Sequence, residues 1–312
     1  MGNTLNANLV KLSHQIYKEW RLKTVLVQSC DNAFEGEFDL ETNEIDIPIY
    51  HDLSIHKTTL KERELKPAPI EFMKGSVKRV TIDKGRYTHW GKTKLNTLVD
   101  RLTQEESQTR DNLTNKWAYE AEEELAQWCA KLPAKQTIDL KAMLVVSTSN
   151  EGGNLISTNI LQALDILKAF AIDKKMSPKD FTLFASEKFE TILRDSKILL
   201  GSNLDANSAF KSGYVGEANG VTVRQIEVPS ITTRDATTKL VKAEWAIWKT
   251  TDGIQYVVPF KDTVTYEIPK TEILLGGTGY QTVEYYDFFN IYPSRLYKVK
   301  ISYDSENPPT SF

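Results

Sequence analysis

Between Thr103 and Pro133 the chain spells out a single helix of about thirty residues. Thr103-Gln104-Glu105-Glu106 is a capping box, in which hydroxyl and carboxylate take up amides that a helix N-terminus leaves free. Leu113, Trp117, Ala121, Leu125, Trp128 and Leu132 follow at helical steps, and Pro133 ends the pattern. At 1.5 Å per residue this helix is roughly 45 Å long, well beyond the average. Its polar side carries Glu105, Glu106, Asp111, Glu120, Glu122, Glu123 and Glu124 against Arg110 and Lys116, a local charge of about −5. Such a side is either a solvated face beside a core or the seat of a basic partner.

A basic counterpart precedes it. From Lys57 to Lys94 eleven lysines and arginines face only Glu62, Glu64, Glu71 and Asp83, an excess of about +7. One strand pattern precedes this stretch, Glu44-Ile45-Asp46-Ile47-Pro48-Ile49, broken by its proline, and a second, Ser76 to Asp83, lies within it. Pro67, Pro69 and Gly75 lie between, with few large apolar residues. The pattern predicts a long hairpin projecting from the body, marginal in water unless it lies on something.

Composition narrows the class. The 312 residues are 40% hydrophobic, 26% charged and 10% aromatic: a lean core, but no disordered chain. Thirty-nine basic against 42 acidic residues leave a net −3, without the excess of a dedicated nucleic-acid binder. No apolar run approaches the roughly 20 residues of a membrane span. The N-terminus lacks a signal-peptide pattern, and Asn6 stands where a myristoylation signal needs Ser or Thr. The expectation is a soluble, non-secreted protein. Cys30 and Cys129 have no metal-ligand spacing and read as free buried thiols in a reducing compartment.

Beyond Ile138 helix and strand patterns alternate. Ala142–Val146 reads as a buried strand, Ile160–Phe170 as a helix, Phe181–Ala185 as a strand and Ser186–Leu193 as a helix. Strands then dominate: Gly220–Ile226, Glu244–Trp248, Gln255–Phe260, Gln281–Tyr286 and Ser294–Tyr303. The fold class is α+β with interleaved parts.

Catalytic chemistry leaves no signature. Gly276-Gly277-Thr278-Gly279 follows an apolar run, but strand-like residues come next and no Lys-Ser/Thr is present, so a phosphate loop is rejected for a hairpin or interface loop. No G-x-S-x-G, H-E-x-x-H or C-x-x-C occurs. His89 reads as an exposed or interfacial histidine rather than a base. The aromatic cluster from Tyr280 through Tyr285, Tyr286, Phe288, Phe289 and Tyr292 to Tyr297 suits a core or a subunit contact. The expectation is no enzyme, no cofactor and no metal.

The order of parts, with Asn32–Phe38 leading to Asn43–Pro48, Phe181–Leu193, Tyr214–Val223 and Tyr285–Ile291, resembles the major capsid proteins of tailed bacteriophages, with the Hong Kong 97-type fold. The resemblance covers nearly the whole chain. It implies an N-terminal arm at 1–30, an E-loop with flanking P-domain strands at 31–95, a P-domain spine helix at 96–133, an A-domain at 134–252, and P-domain strands with a C-terminal segment at 253–312.

The function it implies is a major capsid protein that self-assembles as hexamers and pentamers into the icosahedral shell around phage double-stranded DNA. Assembly in the host cytoplasm and residence in the virion follow. The implied partners are copies of the chain, a portal protein, a separate scaffolding protein and a decoration or cement protein, with loose contact to packaged DNA and no membrane. The fold-like pattern begins near residue 25, so any scaffold is expected to be separate or absent, and no covalent cross-link is expected. The alternatives are an encapsulin-like compartment shell and a motif-free soluble enzyme. The expected inter-subunit contacts are Lys57, Lys61, Arg63, Lys66, Lys78 and Arg79 on the loop, and Glu105, Glu106, Glu120, Glu122, Glu123 and Glu124 on the helix. Together they would lay loop 57–94 of one subunit over helix 103–132 of the next.

Overall fold

The computed structural model describes residues 16–33, 44–50, 75–93, 102–140, 160–186, 199–200, 214–218, 220–226, 228, 232–234, 241–269 and 277–301. The expected strand at 142–146 and the helix beginning at Glu187 lie outside these residues.

The long helix is present as α1, Leu102–Ala130. Leu113, Trp117, Ala121 and Leu125 of the stripe are buried, while Trp128 is half-buried. Each large apolar side chain buried there contributes about 1.5–3 kcal/mol. The stripe packs on one face of a three-stranded antiparallel sheet of β11 (Gln255–Ile268), β12 (Gly277–Phe289) and β3 (Lys84–Thr93), in that order. The Trp117 indole donates to Thr88 Oγ1 at 2.8 Å, which fixes helix against strand. Gly277–Gly279 belongs to β12, paired with Gly91–Thr93, so the glycine run opens a strand. There the Tyr266 ring covers Gly279, where a Cβ would meet it at 2.3 Å.

The predicted hairpin forms between β1 (Glu44–Tyr50) and β2 (Gly75–Thr81), antiparallel, with Glu44 opposite Thr81 and Tyr50 opposite Gly75. Its base has a core of its own, contrary to the sequence reading. Ile45 and Ile47 are fully buried with Ile82, Val257, Phe289 and Ile291. Alternation along β11 and β12 turns Val257 and Phe289 away from the side that Tyr256 and Phe288 present to α1. Helix and hairpin base therefore grip opposite faces of one sheet.

A second, mixed sheet has eight described strands. Its path runs β4 (Thr137–Leu140), β13 (Leu296–Ile301), β10 (Val241–Lys249), β5 (Thr182–Ala185), β8 (Val221–Gln225), β7 (Tyr214–Ala218), β6 (Leu199–Leu200), with β9 (Thr232–Arg234) on β10. One face takes Leu164, Leu167 and Ala171 of α2 (Ile160–Asp173), around Trp248 stacked on Phe181 at 4.2 Å. From the other, Phe184, Trp245 and Ile247 join the α1 core. Cys30 and Cys129 are free and buried in that core, as expected.

Gly253 sits where β10 turns toward β11. A Cβ there would lie 2.3 Å from the Arg295 carbonyl oxygen, which is itself held by the Thr250 amide at 3.1 Å. Backbone cannot swing aside as a side chain can. Gly253→Ala is therefore expected to destabilise the subunit by about 1–3 kcal/mol, measured as a lowered denaturant midpoint.

Candidate functional site

The surfaces open to another molecule follow from which side chains the fold has already committed. Glu120 is exposed and Glu123 half-buried on α1. With Tyr119, Glu124, Gln127, Arg86 and Tyr286 they line an anionic recess of about 260 Å³. Glu124 is tied into its own subunit, accepting from the Tyr286 hydroxyl and pairing with Lys84 at 3.3 Å. The Glu105 and Glu106 side chains lie outside the described residues.

Glu122 does not belong to this acidic side. It is buried, and its Oε1 accepts from the amides of Val25, Leu26 and Val27 at 2.5, 2.6 and 3.2 Å. Its neighbours Ala121, Leu125 and Ala126 carry the buried arc of α1 past the strict stripe and take Glu122 inward. It is withdrawn as a contact candidate.

Among the basic candidates, Lys57, Lys61, Arg63 and Lys66 lie outside the described residues. Arg79 is exposed but engaged, because the register sets it opposite Asp46. Its Nε and Nη2 reach the two Asp46 oxygens at 2.8 and 3.1 Å, and Glu44 lies at 3.3 Å. That hydrogen bonding holds the Asp46 carboxyl below its ordinary range. Lys78 donates to the Asn290 carbonyl at 3.0 Å. Reversing Lys78 and Arg79 would thus disturb the hairpin before any neighbour.

The end of the basic stretch is also committed at home. Residues 84–93 form β3 on the subunit's own α1, so the span expected to cross a neighbour is too long at this end. Lys84 pairs with Glu124 and, at 3.5 Å, with Asp287, and its ammonium sits 3.3 Å from the Phe288 ring centre. Arg86 is the central pin. Its Nε lies 2.8 Å from Glu284 Oε1, Nη2 donates to the Tyr256 hydroxyl at 2.6 Å, and Nη1 to the Trp117 carbonyl at 3.2 Å. Burial alone would lower its pKa. The facing Tyr256, Glu284, Tyr286 and Glu124 outweigh that and hold the guanidinium charged. Sequence reading missed this pair, because Arg86 and Glu284 stand 198 positions apart by their numbers in otherwise polar strands.

The sheet face opposite α1 is the other open surface. Beyond the hairpin base, cross-strand register lines up Gly85–Tyr285–Phe260, Tyr87–Val283–Asp262, His89–Gln281–Val264 and Gly91–Gly279–Tyr266. Tyr87 is 68% exposed, Val264 52%, Tyr285 50% and Tyr266 45%. Solvated antiparallel sheets present polar residues outward. This one presents aromatic rings, with Asp262 the only carboxylate in those rows. His89 is exposed on it, in ring contact with Tyr87 at 5.4 Å, as a surface histidine was expected to be.

Among the described residues there is no His, Cys, Asp or Glu grouping fit for a metal, and no helix long and apolar enough to cross a membrane.

No family model and no curated protein matches the sequence. Solved structures do match the fold. The capsid of Ralstonia phage GP4 aligns over 90% of this chain and 88% of its own, at 9% identity and a TM-score of 0.55. The capsid of cyanophage P-SCSP1u aligns over 88% and 89%, at 13% identity and 0.54. A virus-like particle from Pyrococcus furiosus aligns over 94% and 99%, at 9% identity and 0.50. The alignment runs nearly end to end in each case. The chain has the α+β fold of these capsid and particle structures. More particularly, it is the Hong Kong 97-type fold of tailed-phage capsids.

Proposed function

We propose that this chain is the major capsid protein of a tailed bacteriophage, a structural protein without enzymatic activity that assembles with copies of itself into a closed icosahedral shell around double-stranded DNA. The observation that carries this reading is the end-to-end fold match to phage capsids, at about nine-tenths coverage of both chains. The subunit's own surfaces support it. A soluble monomer has no use for an aromatic sheet face of this extent, whereas a shell covers it with a neighbour. Among the described residues Arg86 is the cation lining the anionic recess on α1, with Lys84 paired to its Glu124, and the segment between β1 and β2 carries Lys57, Lys61, Arg63 and Lys66. Opposite charges on two parts of one repeating unit give neighbours orientation and register.

In this reading residues 1–30, 31–95, 96–133, 134–252 and 253–312 act as arm, loop with flanking strands, spine, axial domain and closing strands. The subunits group as hexamers and pentamers, formed in the host cytoplasm and carried in the virion. A portal protein is a further partner, any scaffolding or decoration protein is a separate chain, and DNA touches the inner wall loosely.

Negative-stain microscopy of the purified full chain tests the proposal. Closed shells, or five- and six-membered rings, are the expected result; monomers under every ionic strength and pH tried would overturn it. The likeness to a virus-like particle favours a second reading, a compartment shell. Particles recovered from their source separate the two, since one holds DNA and the other a protein cargo.

A further inference from the structure

Residues 24–31, Thr-Val-Leu-Val-Gln-Ser-Cys-Asp, are rich in β-branched and polar side chains yet are paired into neither large sheet except at Asp31. They form a tight turn, closed by Ser29 N to Leu26 O and Cys30 N to Val27 O, both at 3.1 Å. The turn leaves the successive amides of Val25, Leu26 and Val27 without backbone partners, and all three converge on Glu122 Oε1. Consecutive N–H groups aimed at one point form a concavity that a carboxyl oxygen fills, and here that oxygen comes from the helix. On the far side of the turn Lys249 of β10 donates to the Ser29 carbonyl at 2.8 Å. At its end Asp31 exchanges backbone bonds with Ile254 and Tyr256, at 3.0 and 2.9 Å, and accepts from Gln255 Nε2. The segment thus straps α1 to β10 of the large sheet and to β11 of the small one.

We infer that Glu122 is a proton-sensitive latch holding this strap across the junction of the two sheets. A carboxyl group in this position must choose between two costs. Ionised, it is matched to three N–H donors but stripped of water; protonated, it loses charge-assisted bonding but keeps its place in a dry core. Every element around it supplies charged or titratable groups. They are Cys30 in the strap, with Arg21 and Asp31 at its ends, Lys249 on β10, Arg224 behind that lysine, Cys129 on α1, and Lys298 on β13.

Burial is the larger effect, so the Glu122 carboxyl is pushed up to about 7, with the three amides and Lys249 opposing it. Lys249 is itself lowered by burial, and both thiols are raised by it. A strap that lifts off α1 returns Glu122 to water and to its ordinary value near 4.5. Docking therefore takes up a proton between these values. The latch is tightest in acid and is progressively lost as pH rises from about 4.5 through about 7.

Amide hydrogen exchange on the full chain over a pH series tests the latch. After correction for intrinsic exchange, opening at Val25–Val27 should rise about tenfold between about pH 6 and about pH 8.5, from the linkage of those two values. The β12 amides around Glu284, which share the core but not the latch, should not follow. Glu122→Gln should remove the pH dependence at the strap. A flat strap profile in the wild type, or a parallel change in β12, would overturn the inference. The comparison of strap with β12 within the wild type decides this even where Glu122→Gln does not fold.

Discussion

Arg86→Met is expected to cost the subunit about 3–5 kcal/mol, read as a collapse of the denaturant midpoint of the unassembled chain. The physical ground is the partner left behind. Glu284 is almost fully buried and its carboxylate meets the guanidinium at 2.8 Å. Without Arg86 the buried Glu284 carboxyl loses the cation that meets it, and the Tyr256 hydroxyl and Trp117 carbonyl lose their donor as well. The Tyr286 ring, 3.9 Å from the guanidinium carbon, loses a cation–π neighbour. Removing both charges together should behave differently. A buried pair replaced by apolar groups of similar volume is often neutral, so Arg86→Met with Glu284→Leu should recover most of the loss. If the double variant is no more stable than the single one, Arg86 acts through packing and the ion-pair account fails.

Glu120→Lys with Glu123→Lys is expected to abolish shell formation while leaving the subunit folded, the loss of the Gln127 Nε2 bond to Glu123 at 3.0 Å costing about 0.5–1.5 kcal/mol. Both residues border the recess on the outer side of α1. Each ion pair at a wet interface contributes little, but a like-charge contact costs several kcal/mol, and a closed shell repeats it at every subunit. Sedimentation and negative-stain microscopy read the outcome. Restoring complementarity from the other side, with Lys61→Glu and Lys66→Glu in the same chain, should return particles. Shells that form normally from the Glu120/Glu123 variant would sink the proposed pairing, and a rescue that fails would assign the recess another occupant.

The elements that local periodicity writes were legible. The α1 stripe, the β1–β2 alternation, α2, and the strands around Trp248 and Val223 all fall where their patterns put them. β3 was not legible. Its inward positions are Arg86, Thr88 and Trp90 and its outward ones Tyr87 and His89, so neither face reads as apolar. The hairpin's small core was missed for a related reason. Ile45 and Ile47 read as an alternating strand with few apolar residues nearby, and their partners Val257 and Phe289 lie more than two hundred positions away. Glu122 was misplaced because a helical wheel cannot tell how wide the buried arc will be. That width depends on what packs there, and a turn at residues 24–30 does.

The candidate contact surfaces divide the same way. Charge counts along the chain located a basic loop and an acidic helix, since charge needs no fold to be counted. Which of those charges remain for a neighbour is a tertiary matter. Arg79, Lys84 and Glu124 are engaged within the subunit and Glu122 is buried, while Glu120 stays exposed at the rim of the recess. The aromatic sheet face could not have been found earlier, because its rows join three strands that only register aligns.

Taken by itself, the sequence determined the long helix, the pairing of β1 with β2, the α+β class and the absence of any catalytic motif. Each of these is set by residues close together in the chain, through periodicity and turn chemistry. The tertiary structure alone decided the Arg86–Glu284 pin, the Glu122 strap and the uncovered aromatic face. Those depend on strand register and on burial, which exist only once distant segments have excluded water from one another.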